Sequence, residues 1–159
     1  MARQQPAQRR ALQINDVVED VLDMMAPVLR AKQIGLNVNL MDDWPLVYGD
    51  SDQLHQVLSN LIRNAEHAVK NEKMKRIVIS TTKRNLYVEL RVQDSGHGIP
   101  EAIREQIFEP FFTTKEEGHG TGLGLSVCAG IIEGHGGKLS VQEVMKGACF
   151  VIHLPLMQR

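Results

Sequence analysis

Residues 76–100 read RIVISTTKRNLYVELRVQDSGHGIP, and this stretch decides the sheet of the fold. Apolar and polar residues alternate on both sides of a polar break near Arg84 and Asn85, which predicts two strands joined by a tight turn. The second strand ends on Asp94, and Gly96 and Gly98 follow it at once. Such an ending indicates either an ordinary strand-to-helix turn or a carboxylate held in a pocket floored by glycine backbone, where an adenine amine is a suitable donor.

The segments around this hairpin predict the rest of the fold. Helical spacing begins at residue 14, strands are expected over 36–41 and 47–48, and a helix from about 51 to 70. A short helix over 101–108, a helix over 123–137 and a second hairpin from 138–144 and 148–155 follow. We expect an α+β two-layer sandwich: a mixed, mostly antiparallel sheet of about five strands, covered on one face by three main helices. Residues 1–13 are interpreted as a tail or the end of a preceding helix, and 14–157 as one domain.

Composition is that of a soluble globular chain. Its 159 residues are 43 % hydrophobic and carry a formal net charge of −1, so no global field favours nucleic acid or an anionic membrane. Cys128 and Cys149 lie in apolar contexts without metal-ligand spacing, which favours reduced core thiols. No membrane-spanning run or signal peptide is evident, so we expect a cytoplasmic location, with a parent protein that is either soluble or membrane-attached.

The helix predicted over 51–70 has three sectors. An apolar arc and an opposite charged side are separated by a narrow polar stripe of Gln53, Gln56, Asn60, Asn64, His67 and Asn71. Asparagine is a poor helix former, so two asparagines one turn apart beside the core need a reason. Either they are exposed or cap a neighbouring loop, or their amide oxygens face a cavity as neutral ligands for a phosphate-bound magnesium ion.

Residues 118–127, GHGTGLGLSV, place four glycines ahead of an apolar helix, but they match neither standard phosphate loop. A Walker loop needs Ser or Thr after its Gly-Lys pair, and here Gly137 and Lys138 are followed by Leu139. The dinucleotide fingerprint needs glycine where this chain has Leu123. Both motifs are excluded, while bare backbone and a following helix N-terminus still suit a phosphate.

Four stretches in a fixed order identify a family: NLIRNA at 60–65, DSGHG at 94–98, FEPFFTTK at 108–115 and GHGTGLGL at 118–125. Together they resemble the catalytic, ATP-binding domain of two-component sensor histidine kinases, most of all the nitrogen-regulation type. The resemblance covers about residues 14–156. It implies the Bergerat ATP-binding sandwich, ATP and Mg²⁺ as cofactors, and protein histidine kinase activity.

The resemblance also implies residue roles. It assigns Asn60 and Asn64 to the catalytic magnesium site and Asp94 to adenine. It assigns Phe108 and Phe112 to an aromatic box that anchors a mobile ATP lid, about 112–121. The full set of nucleotide-binding positions implied is Asn60, Asn64, His67, Ala68, Lys70, Asp94, Gly96, Gly98, Ile99, Phe112, Thr114, Lys115, Gly120, Thr121, Gly122, Leu123, Gly124 and Leu125.

One position departs from the pattern. Many relatives carry a lysine or arginine one turn after the second asparagine, where this chain has His67. Two interpretations stay open: a phosphate contact whose charge depends on pH, or a surface histidine. Lys70 or Lys115 would then supply a permanent positive charge.

The phosphoacceptor histidine of such kinases is usually followed by an acid, and none of the six histidines here is. We therefore expect the acceptor on a dimerisation hairpin outside this chain, with a response regulator as an indirect partner, a monomeric isolated domain, a homodimeric parent and no nucleic-acid partner. Alternatives on the same fold are an ATPase, an anti-sigma-type serine kinase, or a non-catalytic nucleotide-binding module. The ATPases and serine kinases usually carry glutamate as general base where this chain has Asn60, and an amide cannot take a proton.

Overall fold

The computed structural model describes residues 8–43, 45–112 and 124–157. Within these ranges the chain forms three α-helices and seven β-strands. The helices are α1 (Ile14–Ala31), α2 (Ser51–Val69) and α3 (Gly124–Gly134). The strands are β1 (Arg9–Gln13), β2 (Gly35–Asn39), β3 (Leu46–Asp50), β4 (Arg76–Arg84), β5 (Tyr87–Asp94), β6 (Lys138–Glu143) and β7 (Ala148–Pro155). None of these helices has the length and apolar character needed to cross a bilayer.

Five strands form the main sheet in the order β2–β4–β5–β7–β6. β2 runs parallel to β4, and the other three neighbouring pairs are antiparallel. The two expected hairpins are β4–β5 and β6–β7, and the first turns through Asn85 at a φ of 49°. The mixed, mostly antiparallel sheet expected from the sequence is therefore confirmed.

The core lies between one face of this sheet and the helices. Alternate residues of β5, namely Val88, Leu90 and Val92, are at most 3 % exposed, and Leu61 and Ile62 of α2 are fully buried. Burying each such side chain stabilises the fold by about 1.5–3 kcal/mol relative to exposure. The buried residues recur every two positions in the strand and every three to four positions in the helix. Together they form the one apolar layer that a two-layer α+β sandwich has between its sheet and its helices.

α2 begins at Ser51 because Asp50 caps it. The Oδ1 atom of Asp50 accepts a hydrogen bond from the backbone N–H of Gln53 at 3.1 Å. Its Oδ2 atom accepts from the backbone N–H of Gln8 at 2.8 Å, just before β1, and its own N–H donates to Nε2 of His135 at 3.0 Å. One residue therefore fixes the start of α2 against β1 and the turn after α3.

Two expectations for local structure are wrong. Residues 9–13, interpreted as a tail or helix end, form β1, which pairs antiparallel with β3 in a separate two-stranded sheet. This strand is stabilised by pairing with β3 and by burial of Leu12, which is 5 % exposed. Because both depend on distant residues, the five residues of β1 show no clear alternation of apolar and polar side chains.

The helix expected over 101–108 is replaced by two single 3-10 turns, Glu101–Ile103 and Gln106–Phe108. Neither turn has a side-chain cap, and Ile107 is the only buried residue of the two. A helix this short is marginal without capping or a broad apolar face, so the segment follows its contacts with the core instead.

Candidate functional site

The candidate site is centred on Asp94, which the end of β5 carries into the interior, where it is 4 % exposed. Its Oδ1 atom accepts hydrogen bonds from the backbone N–H groups of Gly96 at 2.8 Å and Ala148 at 3.3 Å. Within the described ranges, every hydrogen bond to this carboxylate ends on Oδ1. Oδ2 is therefore the oxygen that can receive a donor from outside the protein.

Three glycines let the backbone close around this carboxylate. A Cβ atom at Gly96 would lie 2.5 Å from the carbonyl oxygen of Ala68 on α2. Gly98, at a φ of 79°, lies against the backbone of Gly147, which itself has a φ of 85°. A Cβ atom at Gly147 would overlap the carbonyl oxygen of Asp94. The glycines bring α2, the loop after β5 and the β6–β7 turn together at one point.

The charge of Asp94 is costly in this setting. Burial raises the pKa of Asp94 above that of an ordinary aspartate, and the hydrogen bonds from Gly96 and Ala148, with the nearby His97, only partly oppose the rise. A desolvated carboxylate with one oxygen unsatisfied has much to gain from a further donor, because buried acceptors cost free energy until they are paired.

The middle of the polar stripe lies beside the core, whereas Gln56 and Asn71 of the same stripe are exposed. Asn60, Asn64 and His67 are all half-buried, so full exposure is excluded for them. The Nδ2 group of Asn60 donates to Sγ of Cys128 on α3 at 3.6 Å. The amide oxygen of Asn60 is therefore directed away from Cys128 and can act as a ligand.

Ala68 and Ile99 also lie close to Asp94 and its glycine loop, whereas Lys70 is exposed. Ala68, one turn after Asn64, is the α2 residue that touches the glycine loop, which brings the C-terminal half of α2 to Asp94. Gly98 and Ile99 share the wall of a groove of about 290 Å³ with Gly147 and Ala148. Lys70, by contrast, is exposed at the C-cap of α2.

Both aromatic residues expected to anchor the lid pack against the core. Phe108 packs edge-on against Phe150, with ring centroids 6.3 Å apart, and Phe112 is half-buried against the core. Phe111, at a φ of 68°, is 73 % exposed. The two predicted anchors therefore contact the core, and the aromatic residue between them faces solvent.

Most of the expected lid lies outside the described residues, including Thr114, Lys115, Gly120 and Thr121, and so do Gly122 and Leu123 of the glycine motif. Of the glycine motif, Gly124 and Leu125 open α3. A Cβ atom at Gly124 would meet no atom within 4 Å among the described residues, while Leu125 is half-buried against the core.

The sequence analysis missed three residues of this region: Gly147, Ala148 and Cys128. Gly147 and Ala148 meet Asp94 only because β5 pairs with β7, with Gln93 opposite Cys149. A glycine within a predicted hairpin turn was a signal for positive φ, but nothing local indicated the strand pairing. Cys128 gave no signal beyond its apolar context.

Comparison with known proteins places this geometry in a family. Residues 49–158 match the family model for histidine kinase-, DNA gyrase B- and HSP90-like ATPases. The two-component sensor PprA of Pseudomonas aeruginosa is 39 % identical over 143 residues, which are 87 % of this chain and 16 % of that protein. The chain spans 16 % to 36 % of the length of such curated relatives.

Solved structures agree with the sequence relatives. The catalytic domain of the histidine kinase ThkA superposes with a TM-score of 0.84 and 33 % identity, covering 93 % of this chain and 97 % of that domain. ThkA in complex with the response regulator TrrA gives a TM-score of 0.81 at 31 % identity, covering 95 % of this chain and 42 % of that one. This chain therefore belongs to the family of histidine kinase-, DNA gyrase B- and HSP90-like ATPases, and within it to the histidine kinase catalytic domains.

Proposed function

We propose that this chain binds ATP with Mg²⁺ and donates the γ-phosphoryl group to a histidine on a separate dimerisation domain, within two-component signalling. The observation that carries the proposal is the buried Asp94 carboxylate, with Oδ1 satisfied by backbone and Oδ2 left for a donor. The family relationship makes a nucleotide the natural ligand.

In this proposal Asp94 accepts a hydrogen bond from the exocyclic amine of adenine. Gly96 and Gly98 let backbone lie against the base where a side chain would occupy the space. Because an unpaired buried carboxylate is costly, a base without that amine is rejected strongly. Ile99, half-buried beside Gly98, supplies apolar surface to the same site.

Asn60 and Asn64 are the proposed protein ligands of the magnesium ion. Both are neutral oxygen donors on one face of α2, and magnesium carrying phosphates takes only one or two protein oxygens. Asn60 and Asn64 would hold the ion, which would supply positive charge against the negative charge that develops during phosphoryl transfer. The residues present fit this group, since the Asn60 oxygen is directed away from its partner Cys128.

The remaining proposed contacts surround the phosphates. His67 and Lys70 lie towards the end of α2. The other proposed contacts are Thr114, Lys115, Gly120 and Thr121 of the expected lid, and Gly122 and Leu123 of the glycine motif. Gly124 and Leu125 begin α3, whose N-terminus favours an anion. We propose that this lid closes over the γ-phosphate.

The proposed function also assigns this domain a place in a larger kinase. Residues 14–157 act as the catalytic domain, and the acceptor lies on a dimerisation hairpin of a homodimeric, cytoplasmic kinase. A response regulator is the proposed indirect partner, and the solved complex of ThkA with the response regulator TrrA supports this class of partner. Hydrolysis of ATP by water is disfavoured because the Asn60 amide cannot serve as the general base.

The test combines this chain, a separately made helical hairpin from a related sensor kinase and γ-labelled ATP. We expect acid-labile label on the hairpin, which carries the acceptor histidine. Phosphoryl transfer relies on positioning and charge stabilisation, so another side chain cannot take the place of that histidine. Asn64→Ala should lose most labelling, while Arg63→Ala, on the exposed side of the same helix, should keep it. Label on this chain alone would contradict the proposal.

A further inference from the structure

The amide of Asn60 has one hydrogen-bond partner on α3. Its Nδ2 group donates to Sγ of Cys128 at 3.6 Å, and Cys128 Sγ in turn donates to the backbone carbonyl of Val57 at 3.8 Å, one turn earlier on α2. The thiol is fully buried. It therefore acts as an acceptor for one group of α2 and a donor to another.

An asparagine amide has two ends of nearly the same shape, and only the oxygen can bind a metal ion. A neutral amide nitrogen offers hydrogens and no lone pair for a cation. An Asn60 side chain turned by 180° would therefore present the wrong end, with almost no change in packing. Something must distinguish the two orientations if Asn60 is to serve as a ligand.

We propose that Cys128 is a positioning residue, which holds the Asn60 amide with its oxygen towards the magnesium–nucleotide site. The inference rests on the proposed function, because it assigns a purpose to the orientation of a proposed ligand. Cys128 itself touches neither the metal nor the nucleotide.

The thiol suits this task because its own hydrogen is already engaged. Cys128 Sγ donates it to the backbone carbonyl of Val57 at 3.8 Å. That donation turns a sulfur lone pair towards Asn60, which must then offer its NH₂ end.

The contact also joins two elements of the site. Cys128 lies one turn after Gly124, at the start of α3, and α3 is the helix that follows the glycine motif. Asn60 lies in the middle of α2, which carries both asparagines. The orientation of the ligand is thus set by the helix that begins where the expected lid ends.

The first test measures ATP binding by calorimetry with Mg²⁺ and again with a chelator. Cys128→Val removes the acceptor and adds about one methyl group, so we expect magnesium-dependent binding to weaken about two- to fivefold, as for one weak hydrogen bond. Metal-free binding should change less than about twofold, because the adenine contacts are untouched. Cys149→Val is the matched control, since Cys149 is equally buried on β7 and its thiol donates to the backbone carbonyl of Phe150, away from Asn60.

Two further variants separate positioning from packing. Cys128→Ala removes the acceptor with a different volume and should show the same magnesium-specific loss, while Cys128→Ser keeps an acceptor and should retain most of the affinity. In an Asn60→Ala background, Cys128→Val should add no further magnesium-specific loss. Equal losses with and without Mg²⁺, or an unchanged effect in the Asn60→Ala background, would overturn the inference.

The second test needs no nucleotide. In a nitrogen–proton NMR spectrum of the ligand-free chain, the Asn60 side-chain NH₂ signals should shift and exchange faster with solvent in Cys128→Val but not in Cys149→Val. Unchanged signals in both variants would overturn the inference. If Asn60→Ala leaves magnesium dependence intact, the proposed metal role of Asn60 fails instead, whatever Cys128 does.

Discussion

At the scale of single residues, the two oxygens of the Asp94 carboxylate have different roles. Its Oδ1 atom holds together the loop after β5 and the start of β7, through Gly96 and Ala148. Its Oδ2 atom is left for a ligand. The backbone bonds lower the cost of burying the charge but do not remove it, since the pKa of Asp94 stays raised by burial.

Asp94→Asn should weaken ATP and ADP alike. A hydrogen bond to a charged group is worth roughly 1.5–3 kcal/mol, which corresponds to a loss of about 10- to 150-fold in affinity measured by calorimetry. Asp16→Asn, an exposed acid on α1, is the control and should bind both nucleotides normally. Unchanged ADP affinity in Asp94→Asn would remove Asp94 from the site.

The raised pKa of Asp94 also predicts that ADP affinity depends on pH. Because its pKa is raised in the folded chain, Asp94 takes up a proton at a higher pH than an ordinary aspartate. ADP affinity should therefore fall with acidification as the pH passes through that raised pKa, and Asp94→Asn should lose this part of the profile. The asparagine variant serves as its own reference, since its side chain does not titrate.

At the scale of elements, α2 and the two hairpins were the most predictable parts of the chain. The three-and-four spacing predicted the buried face of α2 and its extent over 51–70, which the structure confirms within one residue at each end. The half-burial of Asn60 and Asn64 also followed from their place on the helix. Such periodicity is visible because one helix face meets one apolar layer.

Other elements depend on distant partners and could not be predicted locally. β1 exists because it pairs with β3, and the turns over 101–108 follow the burial of Ile107. The contact of Asn60 with Cys128 joins residues 68 positions apart in sequence, and that between Asp94 and Ala148 joins residues 54 apart. Pairings of this kind are set by strand order and helix packing, which no local pattern encodes.

The cap of α2 yields a stability prediction. Asp50→Ala removes the acceptor for the N–H groups of Gln53 and Gln8, and should lower the free energy of unfolding by about 1–2 kcal/mol in urea denaturation. Asp52→Ala removes an exposed charge from the same turn and should cost only about 0.3–1 kcal/mol. Equal losses in the two variants would show that charge, and not capping, stabilises this end.

Acid should remove the difference between wild type and Asp50→Ala. Burial opposes ionisation of Asp50, but hydrogen bonds from the N–H groups of Gln8, Gln53 and Asp52 outweigh it, so its pKa is lowered in the folded chain. A carboxylate with a lowered folded pKa stabilises fully above its unfolded pKa and loses that contribution as the pH falls through the folded value. The two unfolding curves should therefore converge only below about pH 4.

At the scale of the whole molecule, ligand binding and folding are linked. A ligand that binds only the folded chain adds about 2.7 kcal/mol of stability at one hundred times its dissociation constant. For a domain of this size each 1 kcal/mol moves the unfolding midpoint by about 2–4 °C, so saturating ATP with Mg²⁺ should raise the midpoint by roughly 5–10 °C. Scanning calorimetry or dye-based thermal denaturation measures this shift directly.

The rise of the unfolding midpoint also distinguishes the adenine contacts of the proposed site from its magnesium contacts. In the proposed function, adenine contacts at Asp94 act with or without metal, whereas the asparagines act only through Mg²⁺. In Asn64→Ala the extra stabilisation that Mg²⁺ adds to ATP should disappear, while the smaller shift given by ATP in a chelator should remain. Arg63→Ala, exposed on the opposite side of α2, should keep both shifts. If Asn64→Ala lost both shifts equally, its effect would lie in the packing of α2, and the magnesium ligand would have to be sought elsewhere on the chain.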